Sequence, residues 1–235
     1  MASAVKHAAQ RTLFHSDGAR SLRVLWTLKE LGLDYRLVTM PFPPRARAKD
    51  FKNVNPIGTI PFFVEKGAPW NQGMTESSAI PLYLAEKYDS EARSISVPKD
   101  HPEYGAFVNW LFYSEATILF PQTLVLRYTV FEKKRGLEQV GEDYRKWYLA
   151  RLRLLEDTLS DGRSFLVGDK FTIADICVTY ALWLSGQRGL DMVHDFPPVI
   201  HEYLERHTSR PSFRECLEEE QKSLAAFTPD IFASL

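Results

Sequence analysis

Apolar residues recur along this chain with two different periods, and the change of period divides it. Residues 11–15 (RTLFH) have an apolar centre and run into Asp17-Gly18, which predicts a strand ending in a loop. Over 19–31, Leu22, Leu25, Trp26 and Leu28 return at helical spacing until Gly32 stops them. Residues 35–40 alternate and predict a second strand, parallel to the first through a right-handed crossover. The prolines of 41–47 (PFPPRAR) rule out regular helix, so this stretch reads as an exposed, basic, stiffened loop. A short helix through Phe51 follows, then a strand headed by Pro61, a turn at 67–69, a short strand at 72–75 and a helix over 76–87. The order is βαβ then αββα, so the expected sheet is mixed.

Beyond residue 101 only the helical period remains. Segments 102–128, 137–159, 172–185, 198–207 and 211–223 each carry apolar residues on one face, separated by Gly- or Pro-bearing loops. The expected fold is therefore α/β plus all-α. A mixed-sheet domain occupies 11–88, a linker with charged residues, Ser94, Ser96 and Pro98 occupies 89–101, and an all-helical domain occupies 102–224. Thr172-x-x-Asp175 has the form of a capping box at a helix start, so its expected role is structural.

Composition removes several functions. A hydrophobic share of 45% with 25% charged residues is that of a soluble globular protein, and 235 residues can bury a sizeable core. Lys+Arg 29 against Asp+Glu 30 gives no reason to expect nucleic acid or an anionic membrane as partner. Cys177 and Cys216 make no disulfide framework, no metal-ligand spacing occurs, and a reducing, cytoplasmic setting fits. No apolar stretch reaches the ~18 residues of a membrane helix. The leader 1–10 lacks the apolar core of a secretory signal and reads as a disordered tail.

The stretch with chemistry in it runs from Asn55 to Ile80. Asn55-Pro56 and Gly58 close a loop, Pro61 heads the strand Phe62-Phe63-Val64, and Glu76-Ser77-Ser78 opens the next helix. With a cis bond before Pro61, the backbone N–H and C=O of Ile60 point outward and can pair with an extended peptide. The N–H groups and positive dipole end at Ser77 suit a carboxylate, and Glu76 suits an ammonium. Taken singly, such a Ser ordinarily caps a helix, such a Glu complements its dipole, and an X-Pro bond is ordinarily trans. The ordered combination is much rarer than its parts.

Asn55-Pro56-x-Gly58-x-Ile60-Pro61, followed by Thr75-Glu76-Ser77-x-Ala79-Ile80-x-x-Tyr83-Leu84, resembles the glutathione-binding half of soluble glutathione transferases. Phe171-Thr172-Ile173-Ala174-Asp175-Ile176 is similar to a second signature, in that family's helical domain, and the resemblance spans roughly 11–213. It implies that the first domain is thioredoxin-like and that glutathione is the co-substrate, with no metal. Ile60, before the proline, would pair with the cysteinyl backbone, and Glu76 and Ser77 would hold the γ-glutamyl head. Thr59 stands where several classes carry Gln or Lys. Arg45, Arg47, Lys49 and Lys52 lie where the glycyl carboxylate would end, with no choice among them. A homodimer with a detoxifying role, and a small apolar or aromatic electrophile as partner, are further implications.

A glutathione thiol, with a pKa of about 8.5, is mostly un-ionised at neutral pH, so a transferase must lower that value. The family places the activating donor after the first strand, here His15-Ser16-Asp17-Gly18-Ala19-Arg20-Ser21. No Tyr precedes Tyr35, which disfavours the tyrosine classes, and no Cys precedes Cys177, which excludes an enzyme–glutathione disulfide at this loop. Ser16 is preferred, because similar bacterial sequences carry an H-S-x-x-x-R-S loop and its position leaves it open toward the cleft. Ser21 and the cationic Arg20 are the alternatives. The second substrate is expected between the domains, against Trp110 and Tyr113, with Glu115, Phe120 and Tyr128 facing the same region. The rival functions are glutathione-dependent isomerisation, peroxide reduction or ether and halide cleavage, and glutathione binding without catalysis.

Overall fold

Leu13 and Phe14 are adjacent in sequence and point to opposite sides of a sheet, which is how one short strand founds two apolar layers. The structure is a computed structural model that describes residues 10–68, 73–90, 94–229 and 232. The leader expected to be a tail lies almost wholly outside the described residues. Strand β1 (Arg11–His15) pairs in parallel with β2 (Arg36–Thr39) and antiparallel with β3 (Phe62–Glu65) in a three-stranded mixed sheet of order β2-β1-β3. The crossover is helix α1 (Leu22–Glu30), closed by Gly32 at φ +62°.

Several local expectations are corrected. The proline-rich stretch read as loop contains a short helix, α2 (Pro44–Arg47). Pro44 opens it at the first position, where its missing N–H has no helical partner to lose, while Pro43 stays extended ahead of it. Helix α3 (Phe51–Val54) follows as expected. The strand expected at 72–75 is reduced to one bridge, in which Met74 exchanges both backbone bonds with Phe63 at 2.8 and 2.9 Å, and residues 69–72 lie outside the described residues. Gly73 beside it has φ +68°, and a Cβ there would stand 2.6 Å from the Phe62 ring, so only glycine fits. Helix α4 (Ala79–Tyr88) starts later than expected, because Ser77 and Ser78 form a turn.

The helical part begins with a rod built of α5 (Tyr104–Phe112), a wide π-helical stretch Tyr113–Leu119, α6 (Phe120–Leu126) and a second π stretch Arg127–Phe131. Pro121 explains the first widening: its ring clashes with the carbonyl four residues back in ordinary α-helix, so the turn before it opens. Helices α7 (Glu138–Arg151) and α8 (Arg153–Leu159) replace the single segment expected over 137–159. Then come α9 (Ile173–Leu184), α10 (Pro198–Thr208) and α11 (Pro211–Ala225).

Helix α1 departs from the one-faced pattern read in its sequence. Every residue from Leu22 to Leu28 is buried, Arg23 included, because α1 lies between the sheet and α9. The main core therefore runs continuously from Leu13, Leu25 and Phe63 to Leu111, Ile176 and Leu182. The second layer, behind the sheet, joins Phe14, Val38, Phe51, Ile60 and Phe62, with Phe227 and Phe232 packed against it.

The capping box forms as predicted. The Thr172 hydroxyl accepts from the Ala174 N–H, and the Asp175 carboxylate accepts from the Thr172 N–H, the Leu166 N–H and the Tyr203 hydroxyl, each at 2.9 Å from the last three donors. Burial pushes the Asp175 carboxyl up to about 6 against those hydrogen bonds, and burial pushes His207 beside it down to about 3. The signs oppose. The Asp175 contribution is fully present below 3.8 and lost as pH rises through about 6, whereas that of His207 is present above 6.5 and lost as pH falls toward 3.

Asp175→Ala strands buried N–H groups of Leu166 and Thr172, at a cost on the order of 3–5 kcal/mol, so its melting temperature should fall by roughly 10 °C in calorimetry. A loss under ~3 °C would contradict the buried cap. Imidazole NMR should show His207 neutral from pH 7.5 down to about 5. Titration with the exposed histidines would contradict its burial.

Candidate functional site

The loop from β1 to α1 carries the predicted thiol-activating residues, and the structure revises how they sit. Ser16 was expected to open toward the cleft. It is instead fully buried, and its hydroxyl has no hydrogen-bond partner among the described residues. Ser21 stands at the N-cap of α1 in helical conformation (φ −63°, ψ −15°), an angle that turns its hydroxyl away from cap bonding, and it too is buried without a partner. Arg20 remains half-exposed and reaches across to the rod, where its Nη1 lies 3.3 Å from Glu115 Oε2.

The second wall is the loop before β3. The Ile60–Pro61 bond is cis, and neither backbone group of Ile60 has a partner among the described residues. Asn55, itself buried, holds the loop from within: its amide donates to the Thr59 carbonyl at 2.8 Å, and its side-chain oxygen accepts from the Ile57 N–H at 3.2 Å. The Thr59 carbonyl is thereby engaged inside the protein, which leaves this residue its N–H and hydroxyl. Gly58, at φ +67°, lies against the Arg45 and Lys52 side chains, 3.3 and 3.6 Å from where a Cβ would stand. Of the basic residues noted in the sequence, these flank the loop.

At the mouth of α4, Glu76 is exposed and Ser77 is buried. The Ser77 hydroxyl donates to the Glu115 carboxylate in a short bond, and Ser78 donates to the same oxygen at 3.1 Å. Beneath them lies the fully buried Arg23. Its guanidinium donates to Glu115 at 2.5 Å, to both serine hydroxyls at 3.2 Å, and to the carbonyls of Cys177 at 2.8 Å and Ser114 at 3.3 Å. Burial pushes the Glu115 carboxyl up, but Arg23, Ser77, Arg20 and Ser78 together hold it below the usual range. Ser77, Arg20 and Glu115 are thus brought together.

Trp110 and Tyr113 are not part of this assembly. They pack edge-to-face on each other at 4.9 Å, and the Tyr113 hydroxyl donates to the Arg151 carbonyl on α7. Each lines an open groove beside α7 and α8, of about 470 Å³ for Tyr113 and about 360 Å³ for Trp110. Two positions apart on a helix, Tyr113 and Glu115 project to nearly opposite sides of the rod, so the side that brings Ser114 and Glu115 onto Arg23 is not the side that carries Tyr113. Phe120 is exposed and packs edge-on against Tyr144. Sequence reasoning missed Arg23. Its signal was faint: Arg23 and Thr27, four apart, are the only polar positions between Leu22 and Leu28. Among the described residues no group of acids, histidines and cysteines is placed to hold a metal, and no helix is long and apolar enough to cross a membrane.

Removing Glu115 leaves the Arg23 charge buried without its carboxylate. Glu115→Ala should therefore lose about 3–5 kcal/mol, and Arg23→Met combined with Glu115→Leu should recover most of it, as read by urea denaturation. A single variant as stable as the parent would contradict the pairing.

The geometry can be set beside known proteins. The family model for the glutathione S-transferase N-terminal domain matches residues 9–86, and that for the C-terminal domain matches 122–211. The chain is 32% identical to glutathione S-transferase 1 of Schizosaccharomyces pombe, over 92% of this chain and 99% of the relative. It is 27% identical to the transcriptional regulator URE2 of Saccharomyces cerevisiae, over 89% of this chain and 68% of the relative. The crystal structure of the glutathione transferase URE2P6 from Phanerochaete chrysosporium, in complex with oxidized glutathione, superposes with a TM-score of 0.78 at 27% identity, covering 93% of this chain and 100% of that one. With the mixed sheet, the cis-proline loop and the helical half all accounted for, the chain belongs to the soluble glutathione S-transferase family.

Proposed function

We propose that this protein binds glutathione between the 55–61 loop and the mouth of α4 and activates its thiol for attack on a small apolar or aromatic electrophile. The observation that carries the reading is Ile60: a residue just ahead of a cis proline, with backbone donor and acceptor both unpaired among the described residues, beside a helix mouth built from Ser77. An extended cysteinyl unit satisfies both groups as an added strand does. In this reading Glu76 takes the ammonium and Ser77 the carboxylate of the γ-glutamyl head, Pro61 shapes the edge, Thr59 contributes its N–H or hydroxyl, and Arg45 and Lys52 meet the glycyl carboxylate. The work is cytoplasmic and the protein a homodimer; exposed Phe112, Phe120, Trp147 and Leu154 on the α5–α8 side support a covered apolar face.

Thiol activation falls to the β1–α1 loop. Ser16 is favoured: a buried hydroxyl that no atom of the described residues uses is a donor kept for something else. Ser21 shares that property from a deeper position, and Arg20 offers a partly exposed guanidinium, already engaged by Glu115. The electrophile then approaches the sulfur from the side of this loop, away from the groove lined by Tyr113.

A second reading, glutathione binding without conjugation, is favoured by the same burial of Ser16 and Ser21 and by the regulator named among the relatives. The two differ in one measurable state of the ligand. Bound glutathione in a transferase shows thiolate absorbance near about 240 nm at neutral pH, and in a mere binder it does not.

In a conjugation assay with 1-chloro-2,4-dinitrobenzene, Ser16→Ala should lower kcat by about 10-fold or more while the glutathione Kd stays within about threefold. An unchanged kcat would move the activating role to Arg20 or Ser21. Titration calorimetry that detects no binding of glutathione to the parent would overturn the reading altogether.

A further inference from the structure

The loop bearing Ser16 is not held by its own backbone alone. Besides backbone bonds such as those from the Ala19 N–H to the Ser16 carbonyl and from the Leu22 N–H to the Ala19 carbonyl, several of its polar atoms are taken by side chains of the helical half. One oxygen of the Glu220 carboxylate, on α11, accepts from His15 Nε2 at 2.9 Å and from the Gly18 N–H at 3.1 Å. These donors stand on either side of Ser16 and Asp17, so a single carboxylate oxygen clamps the strand end and the loop tip together. Both partners are buried: the His15 side chain is 0% and that of Glu220 5% exposed.

The other side of the loop is held as firmly. Tyr180, on α9, donates its hydroxyl to the Gly18 carbonyl at 3.2 Å. Arg188 donates to the Asp17 carbonyl and lays its guanidinium over the Phe42 ring at 4.6 Å. Arg188 has φ +54°, a left-handed conformation that a residue with a side chain adopts only where its surroundings enforce it. Gly18 sits at φ +58°, a left-handed conformation that glycine adopts without strain, and a Cβ there would meet Arg188 Nη2 at 3.5 Å and Trp183 at 3.6 Å, ordinary contact distances. Inside this frame the Ser16 hydroxyl is left without a partner among the described residues.

From this geometry we infer that Glu220, assisted by Tyr180, is a positioning residue for thiol activation: it sets the Ser16 hydroxyl from the far end of the chain and takes no part in gripping glutathione. The inference rests on the proposed transferase reading. Hydrogen-bond catalysis is steep in distance, so a loop that relaxes by about an ångström loses thiolate stabilisation. The ligand-gripping groups, Ile60, Glu76 and Ser77, bond neither to Glu220 nor to Tyr180, so affinity should be spared. A residue that merely stabilised the fold would move both together or neither.

The experiment compares the parent protein with Glu220→Gln and Tyr180→Phe. It reads glutathione Kd by calorimetry, the fraction of bound glutathione present as thiolate at pH 7, kcat with 1-chloro-2,4-dinitrobenzene, and amide exchange. In Glu220→Gln the thiolate fraction and kcat should each fall about tenfold, Kd should stay within about threefold, and exchange should quicken at Gly18 but not in α9. Tyr180→Phe keeps its ring and loses only the bond to Gly18, so it should shift the same quantities by about threefold and serves as the test if Glu220→Gln does not fold. Unchanged thiolate and kcat in the variant that folds, or a Kd that weakens in step with kcat, overturns the assignment. A parent protein that shows no thiolate band refutes the transferase reading instead, an outcome visible before any variant is made.

Discussion

Arg23 is a charge placed where the chain has no water to offer it. Helix α1 is buried from Leu22 to Leu28, and the guanidinium sits in that run with 0% of its side chain exposed. An isolated buried charge costs several kcal/mol, so this one determines what must surround it. The surroundings are Glu115 from the rod, the Ser77 and Ser78 hydroxyls from the mouth of α4, and carbonyls of Ser114 and Cys177. Satisfying one side chain of the sheet half thus requires the helical half to be in place, and the turn that would receive a ligand head is assembled by the same contacts.

The sheet imposes the complementary constraint. Its strands are short, and with a single bridge at Met74 beyond β3 among the described residues they bury little by themselves. Alternation along β1 and β3 sends Leu13 and Phe63 toward α1 and the helical core, and Phe14 and Phe62 toward Phe51, Val38 and Ile60. Ile60 belongs to that second layer by its side chain, which leaves its backbone as the part available for pairing. The layer is closed by Phe232, whose ring lies 6.1 Å from that of Phe51. Chain segments from both ends therefore converge on the same edge.

Local patterns with one physical cause were legible in the sequence. An apolar centre located β1, alternation located β2, a proline-headed apolar run located β3, Gly32 ended α1, Thr172 and Asp175 announced a cap that formed with both of its bonds, and the loop ahead of Pro61 took the cis bond its sequence allowed. What depended on distant partners was not legible. Which neighbours Trp110 and Tyr113 meet depended on packing: they lie on each other and against α7, while Glu115, two positions on from Tyr113, faces Arg23. Arg23 looked like one polar residue in an amphipathic helix until packing on both sides made it internal. Glu220 stands in an acidic run with Glu218 and Glu219, and only the path of α11 across the end of β1 brings it to His15. Proline counts misled at 41–47, where Pro44 opens a helix that the same residue would have broken further in.

The central claim is that the backbone edge at Ile60, unpaired among the described residues, and a helix mouth at Ser77 hold a γ-glutamyl tripeptide with its sulfur toward the β1–α1 loop. A crystal structure of the protein with glutathione tests it most directly. The account predicts ligand atoms at about 3 Å from the Ile60 N–H and C=O and from Ser77, with the sulfur within hydrogen-bond reach of the Ser16 hydroxyl. Glutathione seated elsewhere, or an Ile60 backbone still unpaired with the ligand bound, would contradict it.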